Sequence, residues 1–194
     1  MAAAPALAAL PPERGARPAC PFDADRQWQF TLQLLELLGF DLHAGRQDRS
    51  IHPFTGGTHP TDVRLTTRID PVNPSPALFG TLHEFGHGLY ERQIDPALER
   101  SPLARGVSLG LHESQSRMWE NLVGRSLPFW RMFYPRVQAT FPAALGGVEL
   151  ETFYRSVNQV QPSLIRIHAD EVTYNMHIIL RFELEQELIA GTVA

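Results

Sequence analysis

The positions of proline and glycine constrain the fold of this chain more than any other feature, because they mark where helices can begin and end. Asp23 suits the N-cap of a first helix, and Gly39 suits its C-terminal end. Prolines crowd the segment Asp70–Pro76, where Ser75 as an N-cap followed by proline predicts a second helix that continues to Gln93. The chain is therefore expected to be mainly α-helical.

Three further segments have helical patterns. Leu109–Val123 and Leu127–Phe141 lie between prolines and glycines. Ser163–Ala190 contains neither residue and ends at Gly191, which predicts one long helix. Only Val63–Ile69 alternates apolar and polar residues as a strand does. The predicted fold class is mainly α, with a small β-hairpin or a short edge strand.

The first residues differ in composition from the rest of the chain. Residues 1–22 are rich in alanine and proline, which predicts a flexible arm. Residues 23–194 are predicted to form a single helical domain, because the chain of 194 residues is 43% hydrophobic and can bury one core of ordinary size.

Charge and cysteine content narrow the expected partners and location. The net charge of -4, with 17 basic and 21 acidic residues, predicts no nucleic-acid partner. The apolar stretch Ala2–Leu10 has no positively charged leader and is too short to cross a bilayer, so no membrane partner is expected. Cys20 is the only cysteine, which excludes an internal disulfide and fits a reducing, cytoplasmic location.

The motif that indicates chemistry is His-Glu-Phe-Gly-His at His83–His87. Two histidines at this spacing on a helix lie on one face, one turn apart, where both rings can bind one ion. A catalytic zinc commonly takes a third protein ligand and keeps one position open. Glu113 in the next predicted helix is the expected third ligand. The alternative is that both histidines are only a partly buried polar pair.

Glu84 lies beside the two histidines and is the candidate catalytic base. Zinc lowers the pKa of a bound water to about 7 and polarises a carbonyl, and a carboxylate beside it can accept the proton of that water. The expected cofactor is therefore zinc, with other divalent metals such as cobalt as alternatives, and the expected reaction is hydrolysis. Two histidines and a carboxylate also suit ferrous iron in an oxygenase, but the adjacent Glu84 favours hydrolysis.

Five motifs in order resemble the Taq-type thermostable metallocarboxypeptidase family: His52–Phe54, Asp62–Thr66, His83–His87, His112–Gln115 and Ile165–Asp170. The resemblance implies a helical, zincin-like fold with a long groove, and a peptidase that releases single residues from the C-termini of peptides. It assigns His83, His87 and Glu113 to the metal and Glu84 to catalysis. Both assignments agree with those made from the residues alone.

The same resemblance implies four substrate-binding candidates. Arg166 would bind the free carboxylate of the peptide, which suits the planar fork of a guanidinium. Tyr174 is a further candidate on the same segment. His52 would line the groove or be a structural residue at a turn, and Arg64 would contact substrate or fix the geometry of the strand Val63–Ile69. That strand resembles the edge strand along which such peptidases bind an extended substrate through backbone hydrogen bonds.

The C-terminal segment carries two stripes at helical spacing. A polar stripe, which would face a wet groove or be a solvated face, consists of Arg166, Asp170, Thr173, His177 and Arg181. An apolar stripe consists of Ile165, Ala169, Val172, Met176 and Ile179, while Ile167, Ile178 and Phe182 suggest burial elsewhere. Asp170 could instead pair with Arg166.

The likeness covers residues 22–193, whereas family members are much longer and add helices on both sides of this central part. Specificity therefore remains open among a carboxypeptidase, an aminopeptidase or broad oligopeptidase of the same class, and a non-catalytic metal-binding module. Apolar surface that those helices cover would be exposed here, which predicts a homodimer.

Overall fold

The computed structural model describes residues 21–166 and 169–193. These residues form seven α-helices and a small sheet. The helices and strands, in chain order, are α1 (Ala24–Leu37), β1 (Gly45–Arg49), β2 (Thr55–His59), β3 (Asp62–Thr67), α2 (Ser75–Arg92), α3 (Leu109–Arg117), α4 (Leu127–Thr140), α5 (Pro142–Leu145), α6 (Leu150–Val157) and α7 (Glu171–Ala190). A short 3₁₀ helix, Pro96–Leu98, precedes α3, and a π-helical segment, Met118–Val123, follows it directly. The mainly α fold with a small sheet is confirmed.

The first helix begins and ends as its sequence predicts. The Asp23 carboxylate accepts hydrogen bonds from the backbone N–H groups of Asp25 and Arg26, which satisfies donors that a helix N-terminus otherwise leaves free. Gly39, just beyond the last turn, has φ of 87°, a conformation in which a side chain would be strained. The second helix differs slightly from its prediction, because Pro74 is the cap residue and Ser75 is the first residue of α2.

The main hydrophobic core joins α1, α2, α4 and α6 through aromatic side chains. Trp130 at its centre contacts the rings of Phe79 and Phe153 edge-on. Phe22 also belongs to this core, where it is 1% exposed and packs edge-on against Phe141. The predicted flexible arm of residues 1–22 is therefore wrong at Phe22. Residues 1–20 lie outside the part that the structure describes.

The sheet has three strands in the order β1-β3-β2, with β1 parallel and β2 antiparallel to β3. The predicted hairpin is thus present as β2 and β3. The predicted edge strand is wrong, because β3 is the central strand and pairs on both sides. The sequences of β1, Gly45–Arg49, and β2, Thr55–His59, have no apolar alternation, so their backbone pairing gives no signal that the sequence analysis could use.

One face of the sheet packs against α2 and fixes the orientation of that helix. Val63 and Leu65 of β3 form a second buried cluster with Phe85 of α2. Gly88 permits the close approach, since a Cβ at that position would lie 2.7 Å from Cδ2 of Leu65. The opposite face of α2, which carries the two histidines, is thereby turned toward α3.

The last helix begins later than predicted. Asp170 caps α7 by accepting hydrogen bonds from the N–H groups of Val172 and Thr173, so Ser163–Ala190 is not one helix. The absence of proline and glycine permits a helix, but the cap decides where it begins. Arg166 and Asp170 precede the helix, so the predicted polar stripe is wrong for these two residues.

None of the residues of α7 is buried. The predicted apolar stripe is therefore exposed at Val172, Met176 and Ile179, and the predicted burial of Ile178 and Phe182 is wrong as well. Ile167 lies outside the described residues. Within residues 21–166 and 169–193, no helix combines the length and hydropathy needed to cross a bilayer.

Candidate metal centre

Two histidines of α2 form the centre of the site. His83 and His87 lie one turn apart, and their ring centroids are 4.9 Å apart. Both side chains are mostly buried, with 20% and 16% of their surfaces exposed. The helical spacing therefore produces the pair of imidazoles that the sequence predicts.

Close contact between α2 and α3 brings the third predicted ligand to this pair. A Cβ on Gly86 would lie 2.6 Å from both the carbonyl oxygen of Gln115 and the Cα of Ser116, so only glycine lets the two backbones approach this closely. Gly86 lies between the two histidines in sequence, and Glu113 lies one turn before Ser116 on α3. The glycine therefore determines how near Glu113 comes to the imidazoles.

Glu113 completes a three-residue donor set. Its Oε2 lies 3.6 Å from Nε2 of His83 and 3.3 Å from Nε2 of His87. One donor atom from each of the three residues lies within 4.8 Å of the others. Two imidazole nitrogens and one carboxylate oxygen are a donor set that suits a catalytic divalent metal with an open position.

The three side chains also influence one another electrostatically. The hydrogen bond with His87 lowers the pKa of Glu113 most, partial burial opposes it, and the charges of His83 and Arg117 contribute further, so that the pKa is about 2. Burial disfavours the protonated ring of His83, but the hydrogen bond and charge of Glu120 and the charge of Glu113 outweigh it and raise the pKa. Glu113 is consequently ionised at neutral pH, which is the form that binds a cation.

Glu84, the predicted base, lies inside the protein beside the two histidines. It is 4% exposed, and its Oε2 accepts a hydrogen bond of 2.6 Å from the hydroxyl of Thr55 on β2. Burial raises the pKa of Glu84, and the bond from Thr55 and the charges of His83 and His87 offset this only in part. A carboxylate in this environment is more basic than one in water.

A buried carboxylate supports the first histidine. Nδ1 of His83 lies 2.8 Å from Oε2 of Glu120, and Arg117 donates to the same oxygen over 3.1 Å. Arg117 also donates to Oε1 of Glu113 over 3.3 Å. Arg117 thus links the carboxylate of Glu113 to the carboxylate behind His83. Glu120 lies in the π-helical segment, a distortion often found at functional sites.

A third histidine, His112, and a further carboxylate, that of Glu91, lie behind His87. Nδ1 of His87 is 2.5 Å from Nδ1 of His112 on α3. Nε2 of His112 is 2.6 Å from Oε1 of Glu91 on α2. In both His83 and His87, the ring nitrogen that points away from Glu113 therefore has a polar partner.

Two of the four predicted substrate-binding residues lie near the donor set. Arg166 donates a hydrogen bond to the hydroxyl of Tyr174, and its guanidinium lies 5.3 Å from the centre of the Tyr174 ring. The guanidinium of Arg117 lies 3.7 Å from the same ring centre. Through Arg117, Arg166 and Tyr174 are thus connected to Glu113. Asp170 does not pair with Arg166, since it caps α7.

The other two lie apart from these contacts. His52 is exposed, and its backbone carbonyl accepts a hydrogen bond from Ser50. Arg64 is exposed and forms an ion pair with Asp62 on the same strand. Because Val63 faces α2, strand alternation directs Arg64 to the opposite face of the sheet.

Five residues that contact the donor set, Glu84 or their partners were not predicted from the sequence: Thr55, Glu91, His112, Arg117 and Glu120. Glu91 lies four residues after His87, so helical spacing could have indicated it, whereas His112 directly precedes Glu113 and helical spacing does not place adjacent residues on one face. Arg117 lies four residues after Glu113 and carried the same signal. Thr55 and Glu120 reach the site only through tertiary packing.

Comparison with known proteins finds a family of metallopeptidases that is similar to this chain. Residues 9–194 match the family described as Carboxypeptidase Taq (M32) metallopeptidase. Thermostable carboxypeptidase 1 of Thermus thermophilus is 52% identical over 174 residues, which are 90% of this chain and 34% of that protein. Carboxypeptidase 1 of Bacillus subtilis is 42% identical over 173 residues, 89% of this chain and 34% of that protein. The chain thus spans about a third of the length of these relatives.

Solved structures agree with the fold. The M32 carboxypeptidase of Deinococcus radiodurans R1 superposes with a TM-score of 0.87 and is 48% identical, with 97% of this chain and 38% of that chain covered. Metallocarboxypeptidase 1 of Trypanosoma cruzi gives 0.83 at 34% identity, over 93% of this chain and 36% of that chain. Since the family match covers nearly the whole sequence and the helical fold agrees, this chain belongs to the M32 metallopeptidase family.

Proposed function

We propose that this chain is a zinc-dependent metallocarboxypeptidase that hydrolyses peptide bonds and releases C-terminal residues. The observation that carries the proposal is the convergence of His83, His87 and Glu113, with donor atoms within 4.8 Å of one another, beside the buried Glu84. Relatives that are named carboxypeptidases support it.

The donor set supports zinc as the metal. Zinc accepts nitrogen and carboxylate oxygen ligands, and hydrolytic sites commonly use three protein ligands. When bound, such a metal would supply an activated water at neutral pH and polarise the substrate carbonyl. Ferrous iron also accepts two histidines and a carboxylate, but a buried acid beside the histidines serves hydrolysis rather than oxygen chemistry.

Glu84 would be the general base. Its carboxylate would accept a proton from the attacking water and pass it to the leaving amine, so no covalent intermediate with the protein is needed. The hydrogen bond from Thr55 holds the carboxylate in one orientation. The raised pKa of Glu84 increases its capacity to take up that proton.

Substrate contacts are proposed on two sides of the donor set. Arg166 would bind the free carboxylate of the peptide, because a guanidinium can donate to both oxygens at once. The strand β2 is an edge strand among the described residues and carries Thr55, which touches Glu84. An extended peptide could pair with β2 through its backbone, as peptides do at other sheet edges.

Elemental analysis and peptide trimming test this function. We expect one zinc per chain and stepwise loss of C-terminal residues from a peptide mixture followed by mass spectrometry. A peptide with an acetylated N-terminus should be cleaved, and the same peptide with a C-terminal amide should not. Cleavage with the reverse selectivity would indicate an aminopeptidase.

Glu84→Gln separates catalysis from metal binding. The amide has the same shape as the carboxylate but cannot accept the proton, so turnover should fall by about 100-fold or more at unchanged zinc content. Equal turnover of the native protein and Glu84→Gln would refute Glu84 as the base. Zinc uptake without turnover in the native protein would favour a non-catalytic metal-binding module.

We also propose a homodimer in which a second copy covers α7. Val172, Met176 and Phe182 on this helix are each more than half exposed, and exposed apolar side chains on one helix favour a partner. Light scattering after size exclusion should give twice the chain mass, whereas a monomer at micromolar concentration would refute the dimer.

Cys20 as the only cysteine supports a reducing location such as the cytoplasm.

A further inference from the structure

Three polar side chains form a line that ends at the second histidine of the donor set. The line runs from Oε1 of Glu91 to Nε2 of His112 over 2.6 Å, and from Nδ1 of His112 to Nδ1 of His87 over 2.5 Å. Nε2 of His87, at the far end, lies 3.3 Å from Oε2 of Glu113. Each ring in the line therefore uses both of its nitrogens.

The carboxylate at one end decides where the protons lie. An ionised carboxylate only accepts, so Nε2 of His112 must carry the hydrogen that is donated to Glu91. In its neutral form, His112 then has a lone pair on Nδ1, which accepts the hydrogen from Nδ1 of His87. Nε2 of His87 is the nitrogen left for a metal, and it points to Glu113.

We propose that Glu91 and His112 are positioning residues that fix the tautomer and ring orientation of His87 for metal binding. The proposal rests on the proposed metal site. It stands on the geometry of the ring, because Nδ1 of His87 faces His112 while Nε2 faces Glu113. Partners of this kind behind a metal-binding histidine raise metal affinity in proteins generally.

The surroundings keep the middle of the line in place. The ring of Tyr90 contacts the ring of His112 edge-on at 4.9 Å between centroids. Gly106 lies close to the same ring, since a Cβ there would be 2.9 Å from Cδ2 of His112. His112 therefore has little freedom to turn away from His87.

The chain offers a second histidine–glutamate pair as a matched control. Nε2 of His59 lies 3.5 Å from Oε2 of Glu99, and neither residue belongs to the donor set. The substitutions His59→Asn and Glu99→Gln remove the same chemical groups as substitutions in the line. They should leave metal affinity unchanged.

Zinc affinity, measured by competition with a chromogenic chelator, tests the proposal. Glu91→Gln should weaken zinc binding by about tenfold or more, because the amide can donate to His112 and no longer imposes one tautomer. His112→Asn should have at least as large an effect. Adding Glu91→Gln to His112→Asn should change nothing further, because Glu91 acts only through His112. Additive losses in the double variant would overturn this order of action.

Histidine nitrogen NMR gives a readout that needs no activity. In the native protein, the His112 resonances should show hydrogen on Nε2 and a bare Nδ1, and Glu91→Gln should produce a mixture of tautomers. Native protein that binds zinc while Glu91→Gln binds it equally well overturns the positioning role alone. Native protein that takes up no zinc overturns the metal site and the proposed function with it.

Discussion

The two metal-facing histidines have carboxylates behind them at different depths. His83 contacts Glu120 directly, and 17% of the Glu120 side chain is exposed. His87 reaches Glu91 only through His112, and 36% of the Glu91 side chain is exposed. The orientation of an imidazole is thus provided by a direct contact with Glu120 at His83. At His87 it is provided by the line from Glu91 through His112, which is a partly exposed relay.

The two carboxylates, Glu120 and Glu91, should differ in how much they contribute to the stability of the fold. Burial disfavours ionisation of Glu120, but the bond with His83 and the charges of Arg117 and Arg125 outweigh it and lower the pKa. Arg125 is itself covered, with its guanidinium 4.1 Å from the centre of the Phe79 ring. Loss of the Glu120 charge would leave Arg117 and Arg125, which are mostly covered, less well compensated, whereas Glu91 is nearer to solvent.

The largest expected effect comes from Gly86→Ala, which should disrupt the contacts behind both His83 and His87 at once. The added Cβ would lie 2.6 Å from backbone atoms of α3, so the two helices must separate. We expect the free energy of unfolding to fall by about 1–3 kcal/mol or more and zinc binding to be lost. Chemical denaturation and zinc titration measure the two effects.

Gly110→Ala is the matched control, because no atom lies within 4 Å of a Cβ at that position of α3. Alanine in an open helical position should stabilise the protein by about 0.4–1 kcal/mol. If Gly86→Ala were as harmless as Gly110→Ala, the close contact between α2 and α3 would not position Glu113.

The second effect separates the buried side from the exposed side. Glu120→Gln should lower the free energy of unfolding by about 1–3 kcal/mol, because Arg117 and Arg125 lose their shared counter-charge in a covered environment. It should also weaken zinc binding by about 10–100-fold. A loss of zinc affinity without any loss of stability would remove the distinction between the two sides.

The third effect is the counterpart on the relay side. Glu91→Gln should change the free energy of unfolding by no more than about 0.5 kcal/mol, as expected of a partly exposed substitution, although zinc affinity falls. Denaturation of the metal-free protein measures this. Destabilisation as large as that of Glu120→Gln would show that the relay is a structural element of the fold.

The smallest effect concerns the packing around the relay. In Gly106→Ala, the added methyl group would press against His112 and lie 3.2 Å from the ring of Tyr90. Both neighbours are side chains that can shift by a few tenths of an ångström. We expect zinc affinity to fall by about two- to fivefold with little change in stability. An unchanged affinity would show that His112 keeps its position without the close contact.

The sequence predicted the parts of the site that depend on local geometry. The spacing of His83 and His87 determines their common face once the segment is helical, and Glu113 lies in the next helix. Glu120 could not be placed in this way, because a π-helical turn changes which residues of that segment face α2. Thr55 depends on how β2 lies against α2, which no local pattern encodes.

The fold shows the same division. Helix α1 was predicted almost to the residue, since Asp23 and Gly39 are specific signals. The predicted start of α7 was wrong, because the lack of proline and glycine only permits a helix, whereas the cap at Asp170 determines where it begins. The strand β3 was found from its alternation, but its central position depends on two polar neighbours, β1 and β2.

Anomalous scattering at the zinc edge from crystals of zinc-loaded protein tests the central claim most directly. The account predicts one strong peak per chain, within coordination distance of Nε2 of His83, Nε2 of His87 and the Glu113 carboxylate. No peak after saturation with zinc, or a peak that any of these three side chains does not contact, would contradict it.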